Sequence, residues 1–322
     1  MPNQVPRRLI GYGAYNLCFD SQLGKSATDS RNFFDVLKGD GWPVNLVKVI
    51  CFRKSTIEGL PLSRAISLYK PDRTINPLFL DNLVKLVDYA AGKDFWVQVC
   101  IFHYHAVKDP NESPENIPGE LQPNFNTSLC DRLKKFFTAS SNNITQKQKE
   151  LVAQLGQRLA GRPNVIWELA NEVRMDGTGC TSADNSNLVA WLSHMRDALI
   201  NNTGPDIHVG TSTGIDNEQV TGRNLPATFF DFHSGQWSAL GDYSFGIRTS
   251  KERAASYNSS AFLIINDDGV PDAQRTGANI TNWATAAFQR GLHYATKSTY
   301  PPGQAFSTHT LNALKLSNNN TP

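Results

Sequence analysis

Two acidic clusters close apolar runs in this chain. Asn171-Glu172 ends the run that begins at Asn164, and Asp267-Asp268 follows residues 262–265, Phe-Leu-Ile-Ile. Other polar and aromatic side chains stand at comparable places. Lys48 lies inside one apolar run and Arg53 just beyond it; His103 and His105 follow the next; His233 and, further on, Trp237 follow another. Tyr12 ends the first run and His293-Tyr294 the last. Carboxyls, imidazoles and aromatic rings in such places suit chemistry on sugars. Two carboxyls perform proton transfer and attack at an anomeric carbon, and flat rings stack on pyranose faces. One carboxyl must remain protonated near neutral pH to donate to the leaving oxygen, while the other must be ionised. Glu172 and Asp267 fit these two roles, with Asp268 as the alternative to Asp267.

Each residue also has a plainer reading. Glu172 could cap the following helix, since carboxylates favour helix N-termini. Asn171, and Asp267-Asp268 before Gly269, suit turns. Glu168 alternates with Trp167 and reads as a structural charge within a strand. Lys48 could be an interior charge paired with a carboxylate, His233 a core histidine, and Tyr12 and Trp237 packing residues. The spacing of His103 and His105 could suit a metal, but no third ligand stands out, so neither metal nor cofactor is assigned.

The elements that must position these groups follow a regular alternation. Strand-like runs cover residues 9–12, 44–52, 95–102, 164–169, 207–211, 227–232, 262–265 and 291–294. Helical patterns cover 26–38, 78–91, 146–159, 186–200 and 280–288; Leu80, Leu83, Val84 and Val87 have the i, i+3, i+4, i+7 spacing of one helix face. Strands alternating with helices imply a parallel sheet, and eight strands imply a closed (β/α)8 TIM barrel spanning residues 1–322 as one domain. No GxGxxG or GxxxxGK[ST] segment follows the first strand, which argues against a nucleotide-binding fold. A polar stretch at about 106–143 reads as a long loop after strand three, with a short helical piece near residues 130–137. In a barrel of this kind the strands' C-terminal ends form the active-site face. Glu172 and Asp267, about three β/α units apart, would face each other across it.

The 322 residues are 40% hydrophobic and 19% charged, with a net charge of +2. So small an excess gives no reason to expect a nucleic-acid partner, and no apolar run is long enough to span a membrane. A monomer acting on an oligosaccharide or polysaccharide is expected. Of five cysteines, Cys51 and Cys100 lie in strand-like runs as buried thiols, whereas Cys18, Cys130 and Cys180 lie in loop-like sequence where one disulfide could form. Residues 1–8 lack the apolar core of a signal peptide, implying a cytoplasmic location, or a secreted or periplasmic one if a leader has been removed.

The segment Asn164-Val165-Ile166-Trp167-Glu168-Leu169-Ala170-Asn171-Glu172 resembles the fourth-strand signature of clan A glycoside hydrolases, notably the cellulase-like family 5. The resemblance implies that Glu172 is the acid/base and that Asn171 binds a sugar 2-hydroxyl. Residues 262–269, Phe-Leu-Ile-Ile-Asn-Asp-Asp-Gly, resemble the seventh-strand signature, implying that Asp267 is the nucleophile. Asp231-Phe232-His233 is similar to a strand-six segment ending in a site histidine. The His103/His105 pair matches a strand-three position that often carries histidine. Lys48 falls where the clan places an arginine near the nucleophile, which implies that it keeps Asp267 ionised. The chain departs from the pattern at three places. Asp267 replaces a glutamate and is shorter by about 1.5 Å. Ser234-Gly235 stands where the strand-six tyrosine is usual, and His293-Tyr294 where the strand-eight tryptophan is usual. Retaining enzymes hold their carboxyls about 5–5.5 Å apart and inverting ones about 6.5–9.5 Å, so a shorter side chain bears on stereochemistry. The expected function is hydrolysis of a β-linked glycosidic bond, with retention. The alternative is a carbohydrate-binding barrel without catalysis.

Overall fold

The computed structural model describes residues 8–21, 31–39, 41, 43–56, 60–139, 142–173, 179–180, 182–213, 232–236, 262–266, 277–289, 293–297, 312 and 315. Eight parallel strands close into one barrel in chain order. They are β1 (Ile10–Gly13), β2 (Leu46–Ile50), β3 (Trp96–His103), β4 (Val165–Asn171), β5 (His208–Thr213), β6 (Phe232–Gln236), β7 (Phe262–Asn266) and β8 (His293–Lys297). Closure is direct: Ile10 pairs with Tyr294 and Gly13 with Lys297. The helices are α1 (Arg31–Gly39), α2 (Pro77–Ala91), α3 (Tyr104–Lys108), α4 (Leu129–Phe136), α5 (Asn143–Leu159), α6 (Ser182–Thr203) and α7 (Gly277–Gln289). Their starts carry local signals. Asn76 caps α2 by accepting from Leu78 N–H, with Pro77 at the first helical position; Asn142 and Ser128 cap α5 and α4 in the same manner.

The sequence-based elements agree except at two strands. The apolar run suggested residues 227–232 for β6; residues 227–231 lie outside the described residues, and the described strand is Phe232–Gln236, where Gly210 and Phe262 are the neighbours of Phe232. The last run was expected at 291–294; 291 and 292 lie outside the described residues, and β8 continues from His293 to Lys297, with His293 paired to Ile264. The stretch after β3 contains α3 and α4; α5 is the helix that returns the chain to β4.

The barrel interior is layered. Leu9, Leu46, Ile166 and Ile264, with Trp96 against them, form the floor. Lys48, Gln98 and Glu168 lie above, and Tyr15, Ile50 and Cys100 pack higher still. Gly13 is needed here, because a Cβ would sit 2.9 Å from the Tyr15 ring. Outside the strands a larger core includes Phe34, Phe79, Phe95 and Trp191.

Near the mouth, three adjacent strands lose strict alternation together. Cys51 and Phe52, Ile101 and Phe102, and Leu169 and Ala170 all join the outer core as consecutive pairs. Successive carbonyls of Cys100 and Ile101 accept from successive amides of Cys51 and Phe52, a break from the regular ladder. Beyond each pair the side-chain phase has shifted by one residue. Arg53, His103 and Asn171 therefore turn inward, three positions after Ile50, Cys100 and Glu168.

Candidate functional site

The phase shift assembles a polar network at the mouth of β2, β3 and β4. Lys48 Nζ donates to Glu168, 2.9 Å from Oε2, and to Asn171 Oδ1 at 2.6 Å. Gln98 Nε2 donates to Glu168 Oε2 at 2.7 Å. All four side chains are buried. Ions so placed are tolerated only when paired and hydrogen-bonded, which the network provides.

The donors fix the orientation of Asn171. An ammonium group only donates, so Asn171 must offer Oδ1 to Lys48 and turn its amide nitrogen the other way. That nitrogen lies 3.1 Å from His103 Nδ1 and 3.3 Å from Glu172 Oε1. His103 Nδ1 accepts from it in the tautomer that carries the ring proton on Nε2. Nε2 faces Glu112 Oε2 at 3.7 Å, an electrostatic contact longer than a hydrogen bond. The same oxygen accepts from Arg53 Nε at 2.9 Å. Burial holds the His103 pKa down at about 4, opposed by Glu112 and Glu172 and reinforced by Arg53 and His105. The imidazole is therefore neutral near physiological pH. Burial pushes the Glu112 carboxyl up, but His103 and Arg53 outweigh it and hold the carboxyl at about 2.

Glu172 stands at the exit of β4. Its Oε2 lies 2.9 Å from His105 Nε2, and both side chains are partly buried, at 19% and 30% exposure. Its backbone has φ of +55°, in the left-handed region. A non-glycine residue there costs about 1–2 kcal/mol, and such strain collects at functional positions. A carboxyl held between an imidazole and an amide, and still reachable by solvent, has what a proton donor and acceptor requires.

The other expected site residues divide into three groups. Glu172, Asn171, His103, His105 and Lys48 come together as described. His103 and Lys48 are nearly closed off from solvent, at 5% and 4% exposure, so they hold Asn171 rather than offering an open face to a sugar. Two residues are displaced from the site. Tyr12 packs in the outer core at 1% exposure, because its register partner Val47 points outward while Lys48 points in. His293 opens β8 instead of closing it and lies at the opposite end of the barrel. There its buried Nδ1 accepts from Leu9 N–H at 2.7 Å, and burial holds its pKa down at about 4. The third group lies outside the described residues: Asp267, Asp268 and Trp237, together with the side chain of His233. The backbone of His233 is the second residue of β6 and pairs with Thr211, short of the strand end.

Sequence reasoning missed Glu112. It comes from the stretch after α3, where no motif marks it. Its segment is tied to the barrel mouth by Lys54 N–H donating to the Glu112 carbonyl and by Ser55 donating to Glu115. The stretch is also joined covalently to the chain beyond Glu172. Cys130 of α4 is bonded to Cys180, which leads into α6, and Lys134 pairs with Asp184 at 3.2 Å. Cys18, expected in a loop, is a buried thiol, as are Cys51 and Cys100. Among the described residues, the group of metal-ligand types that lies close enough together is Cys130, Cys180 and Asp184, and its two sulfurs are already bonded to each other. No described helix is long and apolar enough to cross a membrane.

No protein-family model matches the chain, and no curated protein matches its sequence. Solved structures do match its fold. A GH5-4 broad-specificity endoglucanase from Clostridium longisporum superposes with a TM-score of 0.66 at 12% identity, covering 98% of this chain and 97% of that one. Endo-glycoceramidase II from a Rhodococcus species gives 0.67 at 14% identity, covering 98% of this chain and 80% of the other. An endo-1,4-beta-mannanase from Rhizomucor miehei gives 0.61 at 15% identity, covering 99% and 97%. At such identities the likeness is one of fold. The chain has the closed (β/α)8 architecture of the cellulase-like family 5 glycoside hydrolases.

Proposed function

We propose that this chain is a glycoside hydrolase acting on a β-linked oligosaccharide or polysaccharide, with Glu172 as its acid/base. The observation that carries the reading is the setting of Glu172: a carboxyl at the C-terminal rim of a closed barrel, on strained backbone, held by His105 and Asn171. The structural neighbours, an endoglucanase, an endo-glycoceramidase and a mannanase, support the same class.

In this mechanism Glu172 donates its proton to the glycosidic oxygen as the Asp267 carboxylate bonds to the anomeric carbon and the C–O bond breaks. Glu172, now ionised, takes a proton from water. The water oxygen replaces Asp267 at the anomeric carbon, and both carboxyls return to their starting states. His233 binds sugar hydroxyls and Trp237 stacks on a ring, while Asn171, itself buried, orients Glu172. Asp268 takes the nucleophile's place if Asp267 is misplaced. Lys48 acts by fixing Asn171. No cofactor takes part.

The test is a panel of β-linked oligosaccharides and aryl β-glycosides, assayed with the wild type and Glu172→Gln. The wild type should release sugar, and the variant should lose about 100-fold or more on an unactivated oligosaccharide while keeping its fold. Calorimetric binding of oligosaccharides without any bond cleavage by the wild type would overturn the reading in favour of a non-catalytic carbohydrate-binding barrel.

A further inference from the structure

Glu112 is the carboxylate nearest the acid/base network for which neither the strand ends nor the family resemblance supplies a role. It is mostly buried, at 20% side-chain exposure, and comes from the stretch after α3. Its Oε2 is met from two sides: Arg53 Nε at 2.9 Å and His103 Nε2 at 3.7 Å. His103 stands between this oxygen and the amide of Asn171, which itself reaches Glu172 Oε1.

We propose that Glu112 is a positioning residue for the acid/base. Its carboxylate holds the His103 proton on Nε2, so that Nδ1 accepts from Asn171 and the second amide hydrogen of Asn171 is directed at Glu172. The inference rests on Glu172 being the acid/base. It adds that the stretch between β3 and α5 supplies part of the catalytic machinery.

Two physical arguments support it. First, an imidazole with one nitrogen accepting must carry its proton on the other, and a negative oxygen facing that nitrogen stabilises this tautomer over its alternative. The opposite tautomer would point Nδ1–H at the Asn171 amide hydrogens and leave a bare Nε2 facing a carboxylate. Second, the charges around His103 are consistent with neutrality. Glu112 and Glu172 face the ring as carboxyls, Arg53 as a cation and His105 as a second imidazole, and burial keeps His103 uncharged. A neutral ring can transmit orientation along the chain without bringing a second positive charge next to Arg53.

The geometry gives two variants opposite outcomes. Arg53 only donates, so in Glu112→Gln the amide oxygen must occupy the place of Oε2, and it can still face Nε2–H. Glu112→Ala removes the acceptor altogether. The experiment combines steady-state kinetics on an oligosaccharide with long-range proton–nitrogen correlation spectra of protein labelled on histidine nitrogen. His103 is assigned by His103→Gln.

In the wild type between about pH 6 and 8 the His103 ring should show a protonated Nε2 and a bare Nδ1. Glu112→Ala should lose this single-tautomer pattern and lower kcat by about tenfold to a hundredfold, with KM within about twofold. Glu112→Gln should keep the tautomer and most of kcat. The proposal is overturned if Glu112→Ala leaves the His103 tautomer unchanged, whatever its activity. It is also overturned if Glu112→Gln, folded, loses the tautomer. Should the wild type show the tautomer pattern but no turnover, the glycosidase reading fails while the Glu112–His103 arrangement stands, so the two failures are distinguishable.

Discussion

The Cys130–Cys180 bond joins α4 to the connection between Glu172 and α6, across a sequence separation of 50 residues. Removing it with Cys130→Ala/Cys180→Ala, or reducing it in the wild type, frees a loop of that length in the unfolded chain. The chain-entropy relation then gives a loss of about 4 kcal/mol at 25 °C. Unfolding entropy of about 2.1 cal/mol/K per residue over the whole chain turns this into a Tm drop of about 6 °C. Urea denaturation followed by tryptophan fluorescence, with and without reductant, measures the difference directly. The oxidised wild type should unfold at higher urea, and the reduced wild type should match the double variant. Equal midpoints for oxidised and reduced wild type, with an unchanged m value, would refute the reasoning, because the bond would then constrain nothing that unfolding releases. Activity should fall in parallel, since one anchor of the bond lies in the segment that leaves Glu172.

Further outcomes follow from the buried charges. Lys48→Met should destabilise the fold by about 3–5 kcal/mol in chemical denaturation, because it strands the buried Glu168 carboxylate; an unchanged midpoint would mean that Glu168 does not depend on Lys48. His103 and His293 both have folded pKa values of about 4, below the ordinary 6.5, so the unfolded chain binds the extra protons. Stability is therefore intact above about pH 6.5 and falls as the pH drops towards 4, at up to about 2.7 kcal/mol per pH unit for two such groups. In His293→Gln that slope should fall by about half, read from urea titrations at several pH values in this window. A slope identical to wild type would show that His293 is not held neutral by burial.

The alternation of apolar runs with helical patterns made the barrel readable, because strands such as β1, β2 and β4 are buried throughout and helices such as α2 and α5 bury one apolar face. The rim of Glu172 and Asn171 was readable for the same reason: polar residues directly after a buried strand have few other places to go. Other features depended on pairing rather than pattern. The register of β8 against β1 and β7 puts His293 at the end of the barrel opposite the one that local hydrophobicity suggested. Tyr12 looked like a rim residue because one strand viewed alone does not reveal which parity faces inward. Arg53, His103 and Asn171 face the interior only because β2, β3 and β4 shift phase together, and a strict period of two does not anticipate that. Glu112 had no signal at all: a single acid in a polar stretch gains meaning only when that stretch folds back onto Arg53 and His103.

The left-handed backbone at position 172 bears on whether this barrel still performs chemistry. Glycine or asparagine would rest there more comfortably, and either would relieve the chain of a conformational burden. A protein that merely held sugars would gain robustness by making that exchange. On the proposed reading, the glutamate is kept at this position because its carboxyl is in use.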